Sequence, residues 1–375
     1  MSQTKVEAPF VEGGGGTGFK NLLINGDMQI WQRGTAAAAS SGAYVTVDRW
    51  KLLENSDGAI TSEQSELSTA DKATTGCRNA LLIKCTSTDT SISSTQYCYT
   101  SQALEGQFLS HLGWGTTSAK TLTLSFWVKA YVAATYTIFI KKYDNTDYYI
   151  PIEYTVNSSN TWEKKTIIIS PTSGSTSLIT GANGAFDQDN GVALLLGFGL
   201  TWGSSYHGTS GTWSSSTHFS TSNQTNFLSS TDNTFYLTGV QLEVGDQATD
   251  LEQVPFDVQL HRCKRYYQLI SNTDGDAFGN GAHYGANSIY MSEAVSPEMR
   301  TTPTLDVSGG TNYFRRYSAG NYDDFNGINL DGSSGPQFIE FFASSGDGHT
   351  GGTQGHACFL RLNNASASFA YTAEL

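Results

Sequence analysis

Along most of this chain, apolar and polar residues alternate rather than recurring every three or four positions. Leu122, Leu124, Phe126 and Val128 form one such series, and Tyr136, Ile138, Ile140 and Lys142 another. A period of two sends every second side chain to the same face, so each series predicts a strand with one buried and one wet face. The pattern predicts strands at Ala80 to Cys85, Gln96 to Ala103, Thr121 to Ala130 and Tyr136 to Tyr143. It predicts more at Tyr148 to Tyr154, Lys164 to Ile169 and Val192 to Leu200. Phe235 to Leu242 again places β-formers and apolar residues at roughly alternate positions and stops at Gly245, as the closing strand of a sheet should. The period then changes. Pro255 opens a segment in which Phe256, Leu260, Cys263 and Tyr267 share one helix face, while His261, Arg262, Lys264 and Arg265 favour the negative end of its dipole. No other stretch reads as a convincing helix, although Leu104 to His111 could supply a turn or two.

After this basic helix, Gly-rich turns (Asp274-Gly275, Gly279 to Gly281, Gly309-Gly310, Gly346 to Gly352) separate short strand signals at Ser288 to Glu293, Phe338 to Ala343 and Ala357 to Leu362. Ala367 to Leu375 reads as a last strand ending almost at the carboxyl terminus. Many short strands punctuated by turns predict an all-β protein of sandwich or jelly-roll type. The expected organisation is a flexible tether over 1–20, which contains Gly13 to Gly16, then a jelly-roll β-sandwich over 21–250. A linker helix over 251–270 and a smaller C-terminal β domain, the tip, over 271–375 complete it. Within 21–60, two strand signals flank a small-residue loop from Thr35 to Gly42.

Composition narrows the partners. A chain of 375 residues with a formal net charge of −13 lacks the clustered Lys and Arg that phosphate contacts need, so nucleic acid is not an expected partner. Electrostatic attraction to an anionic membrane or lipopolysaccharide core is disfavoured for the same reason, leaving stacking and hydrogen bonds as the means of recognising a cell surface. Cys77, Cys85, Cys98, Cys263 and Cys358 are an odd set without C-x-x-C or zinc-ligand spacing, as expected of buried thiols in a protein folded in a reducing cytoplasm. No apolar run reaches the ~18 residues of a membrane span, and the N-terminus lacks the order of a secretory signal.

Gly239-Val240-Gln241-Leu242-Glu243-Val244-Gly245, an acidic proline-containing spacer and Cys263-Lys264-Arg265-Tyr266-Tyr267-Gln268 together resemble the end of a module of phage and prophage tail fibre proteins. Such modules open with a segment similar to Asn21-Leu22-Leu23-Ile24-Asn25-Gly26-Asp27-Met28-Gln29-Ile30-Trp31-Gln32-Arg33, followed by an Asp-Arg-Trp triplet, here Asp48-Arg49-Trp50. Sugar-binding jelly rolls of the carbohydrate-binding-module type begin and end similarly, which implies that the two ends of the 21–250 domain pair in one sheet. Those modules hold a structural calcium with carboxylates where this chain has Gln29, Thr238 and Gly239, so no calcium is expected. The resemblance implies a homotrimer. The Phe256, Leu260, Cys263, Tyr267 stripe suits three copies on an axis or, equally, a helix lying across the open edge of its own sandwich.

Candidate binding residues come from aromatic rings in polar surroundings. Between Thr201 and Asp232, Trp202, Tyr206, His207 and Trp213 stand among Gly, Ser, Thr and Asn, and Tyr313, Tyr317, Tyr322 and Phe325 stand in a polar, loop-rich part of the tip. A pyranose stacks its C–H face on such rings while its hydroxyls take polar partners; alternatively the rings pack onto the sandwich or a neighbouring subunit. No histidine lies in H-E-x-x-H or beside G-x-S-x-G, and no carboxylate pair is singled out for glycosidase chemistry. Asp187 to Gly191 and Asp274 to Asp276 read as turns or, alternatively, cation loops. Catalytic residues, cofactors and metals are therefore not expected. The leading reading is a virion component, a tail fibre or receptor-binding protein, with host surface polysaccharide or lipopolysaccharide and other tail proteins as partners. It would be made in the host cytoplasm and displayed on a tail or other appendage. A capsid or tail decoration protein and a polysaccharide depolymerase are the alternatives.

Overall fold

The computed structural model describes residues 19–34, 36–38 and 43–375; most of the expected tether, and most of the Thr35 to Gly42 loop, lie outside them. By contact the chain divides into two compact units, one of residues 1–29, 36–45 and 50–253, the other of 30–35, 46–49 and 254–375.

In the first unit, strands β1 (Ala36–Ala38), β2 (Ala43–Tyr44), β3 (Lys51–Asn55) and β4 (Ala59–Glu66) lead into helix α1 (Thr69–Thr75). Then come β5 (Asn79–Ser87), β6 (Tyr97–Glu105), β7 (Leu122–Ala130), β8 (Thr135–Lys142) and β9 (Tyr148–Thr155). The unit closes with β10 (Glu163–Ile169), β11 (Val192–Trp202) and β12 (Thr234–Val244). These form two antiparallel six-stranded sheets, ordered β1-β4-β5-β12-β7-β10 and β2-β3-β6-β11-β8-β9. Phe126 of the first sheet meets Phe198 of the second edge-to-face at 5.0 Å, and both are fully buried. The unit is a jelly-roll β-sandwich, and each strand expected from alternation between Ala80 and Leu200 is present.

The opening segment is not a strand. Asn25 and Met28 both take φ 59°, and the chain runs as turns along β12, with the N–H of Leu22 on the carbonyl of Leu242 and that of Val240 on Gly26, both at 2.9 Å. Any side chain at Gly26 would collide with the Val240 carbonyl, 2.0 Å from an added Cβ. The two ends of the sandwich thus lie side by side without a regular ladder. β8 also differs from expectation: Thr137 and Phe139, on the side expected to be wet, are buried, because residues 203–226 cover that face. Helix α1 was not foreseen, since its seven residues bury only Thr75 and it is held by its caps, Ser68 and Gly76.

The second unit contains helix α2 (Phe256–Lys264) and strands β13 (Tyr267–Ser271), β14 (Ala277–Gly285), β15 (Ser288–Ala294), β16 (Thr304–Ser308) and β17 (Phe314–Ser318). β18 (Asn321–Phe325), β19 (Asn329–Leu330), β20 (Phe338–Ala343), β21 (Ala357–Leu362) and β22 (Ser368–Thr372) follow. A three-stranded sheet, β13-β22-β16, and a seven-stranded one, β18-β17-β21-β14-β15-β20-β19, enclose the core; Phe369 of the former lies 4.9 Å from Phe278 and 5.0 Å from Phe341 of the latter. The expected helical stripe is corrected here. Tyr267 begins β13, pairing with Thr372, and Phe256 is 57% exposed, so Gln259 and Cys263 are what α2 buries.

The opening and Asp-Arg-Trp motifs explain why this unit takes 30–35 and 46–49. Arg33 lies 3.6 Å over the Tyr267 ring and Arg49 3.5 Å over Tyr266. Both guanidiniums converge on Glu374, Arg33 Nη2 at 3.0 Å from Oε1 and Arg49 Nη1 on Oε2. Asp48, buried beside them, accepts the backbone N–H of Gln32 at 2.9 Å, and burial pushes its carboxyl up to about 6 against the pull of Arg33.

Candidate functional site

Alternation along the seven-stranded sheet decides which side chains are available to a ligand. In β21, Cys358, Leu360 and Leu362 point into the core, which turns Ala357, Phe359 and Arg361 outward. In β17 the inward residues are Phe314 and Arg316, so Arg315 and Tyr317 face out beside them. Register places Tyr317 opposite both Phe359 and Tyr322. Tyr317 and Phe359 stack with centroids 5.0 Å apart and planes 10° from parallel, and Tyr322 joins at 6.2 Å. Phe359 is 38% and Tyr322 55% exposed.

Beside this ring pair, the tight 318–321 turn leaves a groove of about 550 Å³, lined by Tyr317, Phe359, Ser318, Ala319, Gly320, Asn321, Ala357, Cys358, Asn280 and Gly281. Its size suits a small ligand or a short segment of a long one. Small residues keep the groove low on that side, while Asn280, Asn321 and Ser318 supply amides and a hydroxyl. At the other end of the rings, Asp324 takes Arg315 in a bidentate pair, 2.5 and 2.8 Å. The Arg361 guanidinium sits 5.5 Å over Tyr317 and 5.3 Å over Phe359. Two strands further along the same face, Tyr290 and Phe342 make a second parallel pair at 5.4 Å and 18°, beside Tyr284, which is 72% exposed. From the register, Phe359 and Tyr290 stand two strands over and two residues along, about 12 Å at ordinary strand spacing.

The residues expected from sequence are scattered. Tyr317 and Tyr322 belong to this face, whereas Phe325 is fully buried in the core of the second unit. Tyr313, half-buried, packs instead against the core of the second unit. Trp202 lies between Tyr99, 4.9 Å away at 16°, and Phe219, 5.0 Å away at 24°, so neither face of its indole can receive a sugar. Trp213 is 2% exposed and donates its indole N–H to the carbonyl of Ser170 at 2.9 Å. Both tryptophans are core residues of the first unit, because leaving large rings bare is costly and partners are at hand, Tyr99 and Phe139 for Trp202 and Trp114 for Trp213. Tyr206 and His207 are half-buried around Trp202, with His207 Nε2 at 3.3 Å from its carbonyl. Asp189 Oδ1 accepts the Gly191 N–H at 2.8 Å, the turn geometry. Among the described residues no three His, Cys, Asp or Glu side chains gather as metal ligands, and no helix is long and apolar enough to cross a membrane. Sequence reasoning missed Phe359, although an aromatic residue in the outward phase of Ala357 to Leu362 was a readable signal.

No family model and no curated protein matches the chain. Solved structures do. A family 11 carbohydrate-binding module of the cellulosomal cellulase Lic26A-Cel5E of Clostridium thermocellum aligns over 56% of this chain and 97% of its own, at 13% identity and TM-score 0.30. A carbohydrate-binding module, TmCBM61, in complex with β-1,4-galactotriose aligns over 60% of this chain and 100% of its own, at 10% identity and TM-score 0.28. The enzymatically active domain of tailspike protein 4 of bacteriophage CBA120 aligns over 60% of this chain but only 22% of its own, at 10% identity and TM-score 0.29. The structural neighbours are mostly carbohydrate-binding modules, with this tailspike domain beside them. Likeness this distant carries nothing about activity.

Proposed function

We propose that this protein binds a glycan through the open face of its seven-stranded sheet and does so as a tail fibre or receptor-binding component of a phage virion, without catalysis. The observation that carries the binding reading is the groove beside Tyr317 and Phe359, where aromatic faces stand next to Asn280, Asn321 and Ser318. Pyranose rings need that combination: apolar C–H faces for stacking and amides or hydroxyls for the sugar hydroxyls. The second pair, Tyr290 with Phe342, extends the same face, so the ligand is a chain of several sugars.

The virion role rests on the motifs at 21–33, 48–50, 239–245 and 263–268, whose resemblance is to tail fibre modules. With it come a homotrimer, attachment to other tail proteins, and host surface polysaccharide or lipopolysaccharide as the target.

Purified protein applied to a glycan array and to host cells tests the binding reading. Retention on a defined set of glycans, lost in Phe359→Ala and with no oligosaccharide released, is the expected result. Release of reducing ends would make the protein a depolymerase, and no retention anywhere would end the glycan reading. Antibody against 271–375 should label the far end of a tail appendage, and labelling of the capsid would favour a decoration protein.

A further inference from the structure

Behind the open face, the inner side of the seven-stranded sheet is apolar apart from Glu293, which accepts the Tyr371 hydroxyl, and one cluster near the β14–β15 turn. There His283 of β14, Arg316 of β17 and His349 of the 344–356 segment are buried together, at 2%, 2% and 0% exposure. The two imidazoles stack with centroids 5.5 Å apart. Neither nitrogen of His283 has a hydrogen-bond partner, and Nε2 of His349 and Nε of Arg316 have none either. His349 Nδ1 lies 2.8 Å from Asp323 Oδ2 of β18, and that same oxygen accepts the backbone N–H of Thr350 at 2.8 Å.

The 344–356 segment is fastened onto this cluster. Arg316 donates Nη2 to the Thr350 carbonyl at 3.1 Å, and the N–H groups of Gly355 and His283 reach the carbonyls of His283 and His356, each at 2.9 Å. Gly352 lies so close on the His283 ring that an added Cβ would come within 1.9 Å of Nδ1. The segment therefore cannot stay closed if His283 needs room for water.

Charge decides when it needs that room. With both imidazoles neutral, Arg316 and Asp323 balance. The other titratable neighbours are His356, on the segment itself, and the Cys358 thiol of β21, which burial holds protonated. A proton on His283 adds a second cation beside Arg316 in a place with no acceptor, a costly arrangement in a low-dielectric interior. Burial, and then Arg316, hold His283 below the ordinary histidine range; burial also holds His349 below it, against the opposing pull of Asp323. A solvated histidine titrates near 6.5, so the open form takes up protons that the closed form refuses. Closure is fully favourable above that pH and weakens as pH falls.

We propose that residues 344–356 are an acid-released flap: on mild acidification they detach from β14 and β17 so that His283 and His349 can be hydrated and charged. The flap is independent of the glycan reading. Each imidazole protonated only in the open form shifts the opening equilibrium by up to about tenfold per pH unit, or about 30-fold between pH 7.5 and 5.

Hydrogen exchange of the full chain, followed by mass spectrometry from pH 7.5 to 5 and corrected for intrinsic rates, reads this directly. Peptides covering 344–356 should lose protection by about 30-fold or more over that range, mostly below pH 6.5, while β20 and β22 keep theirs. His283→Phe, which keeps a ring against His349 but cannot charge, should flatten much of the dependence. Should that variant not fold, imidazole titration of the wild type by NMR decides the matter. Flat exchange across the pH range, an undiminished dependence in a folded His283→Phe, or His283 and His349 titrating at or above 6.5 with the segment closed would each overturn the flap.

Discussion

Replacing Glu374 by Gln removes the one carboxylate on which Arg33 and Arg49 converge. The side chains concerned are 9%, 1% and 8% exposed for Arg33, Arg49 and Glu374, so the guanidiniums cannot simply turn to water. Breaking a buried pair from one side typically costs about 3–5 kcal/mol, because the abandoned charge keeps its desolvation penalty. Tyr267 and Tyr266 beneath the two guanidiniums return part of this, on the order of 1 kcal/mol each. The expected loss is thus about 2 kcal/mol in the second unit, a roughly 30-fold fall in amide protection at β13 and β22. Amide exchange is the right assay, since Trp31 is the only tryptophan of that unit and indole fluorescence would report mainly on the other. Asp324→Asn is the control. It breaks the Arg315 pair, whose members are 26% and 20% exposed, and should cost under about 1 kcal/mol. If Glu374→Gln proved as mild as the control, the view of this cluster as a desolvated ion network would be wrong.

Three further outcomes are expected. Phe359→Ala should abolish glycan retention while leaving the unfolding midpoint nearly unchanged, as its ring is already 38% exposed; a large drop in midpoint would mean that the ring holds the sheet together. Trp202→Ala and Trp213→Ala should instead destabilise the sandwich by about 3–5 kcal/mol in urea titrations, and binding lost with stability intact would return either ring to the site. Asp48, held up to about 6 by burial, keeps its proton longer in the folded state than in the unfolded one. Its contribution is therefore present at pH 4 and is lost as pH rises through 6, so Asp48→Asn should gain stability relative to the wild type between pH 5 and 7.5 in paired denaturation curves; a pH-independent difference would refute it.

Strand positions were legible because a two-residue period depends only on local sequence; β7, β9 and β20 begin and end within a residue or so of the alternating runs that predict them. Features set by distant partners were not. Tyr267 keeps the helical spacing of Phe256 and Leu260, yet its backbone pairs with Thr372, over a hundred residues away, and strand wins. Trp202 and Trp213 stand in a polar stretch that looks exposed, and only the way this stretch folds, setting Trp202 over Tyr99 and Phe139 and Trp213 against Trp114, buries them. Phe359 was the converse case. Its outward phase was readable between Cys358 and Leu360, but its stacking on Tyr317 depends on strands that the sequence does not place next to one another.

The clasp between the two ends of the sandwich has a mechanical consequence. Lys20 reaches the carbonyl of Asp250 and the hydroxyl of Thr249, both at 2.6 Å, and the N–H of Asn21 meets Glu252 at 2.9 Å. A pull applied between residues 20 and 252 is taken up by this short polar latch, and the sheets between them hang to the side of the line of force. Tension would open the latch before it sheared a single strand.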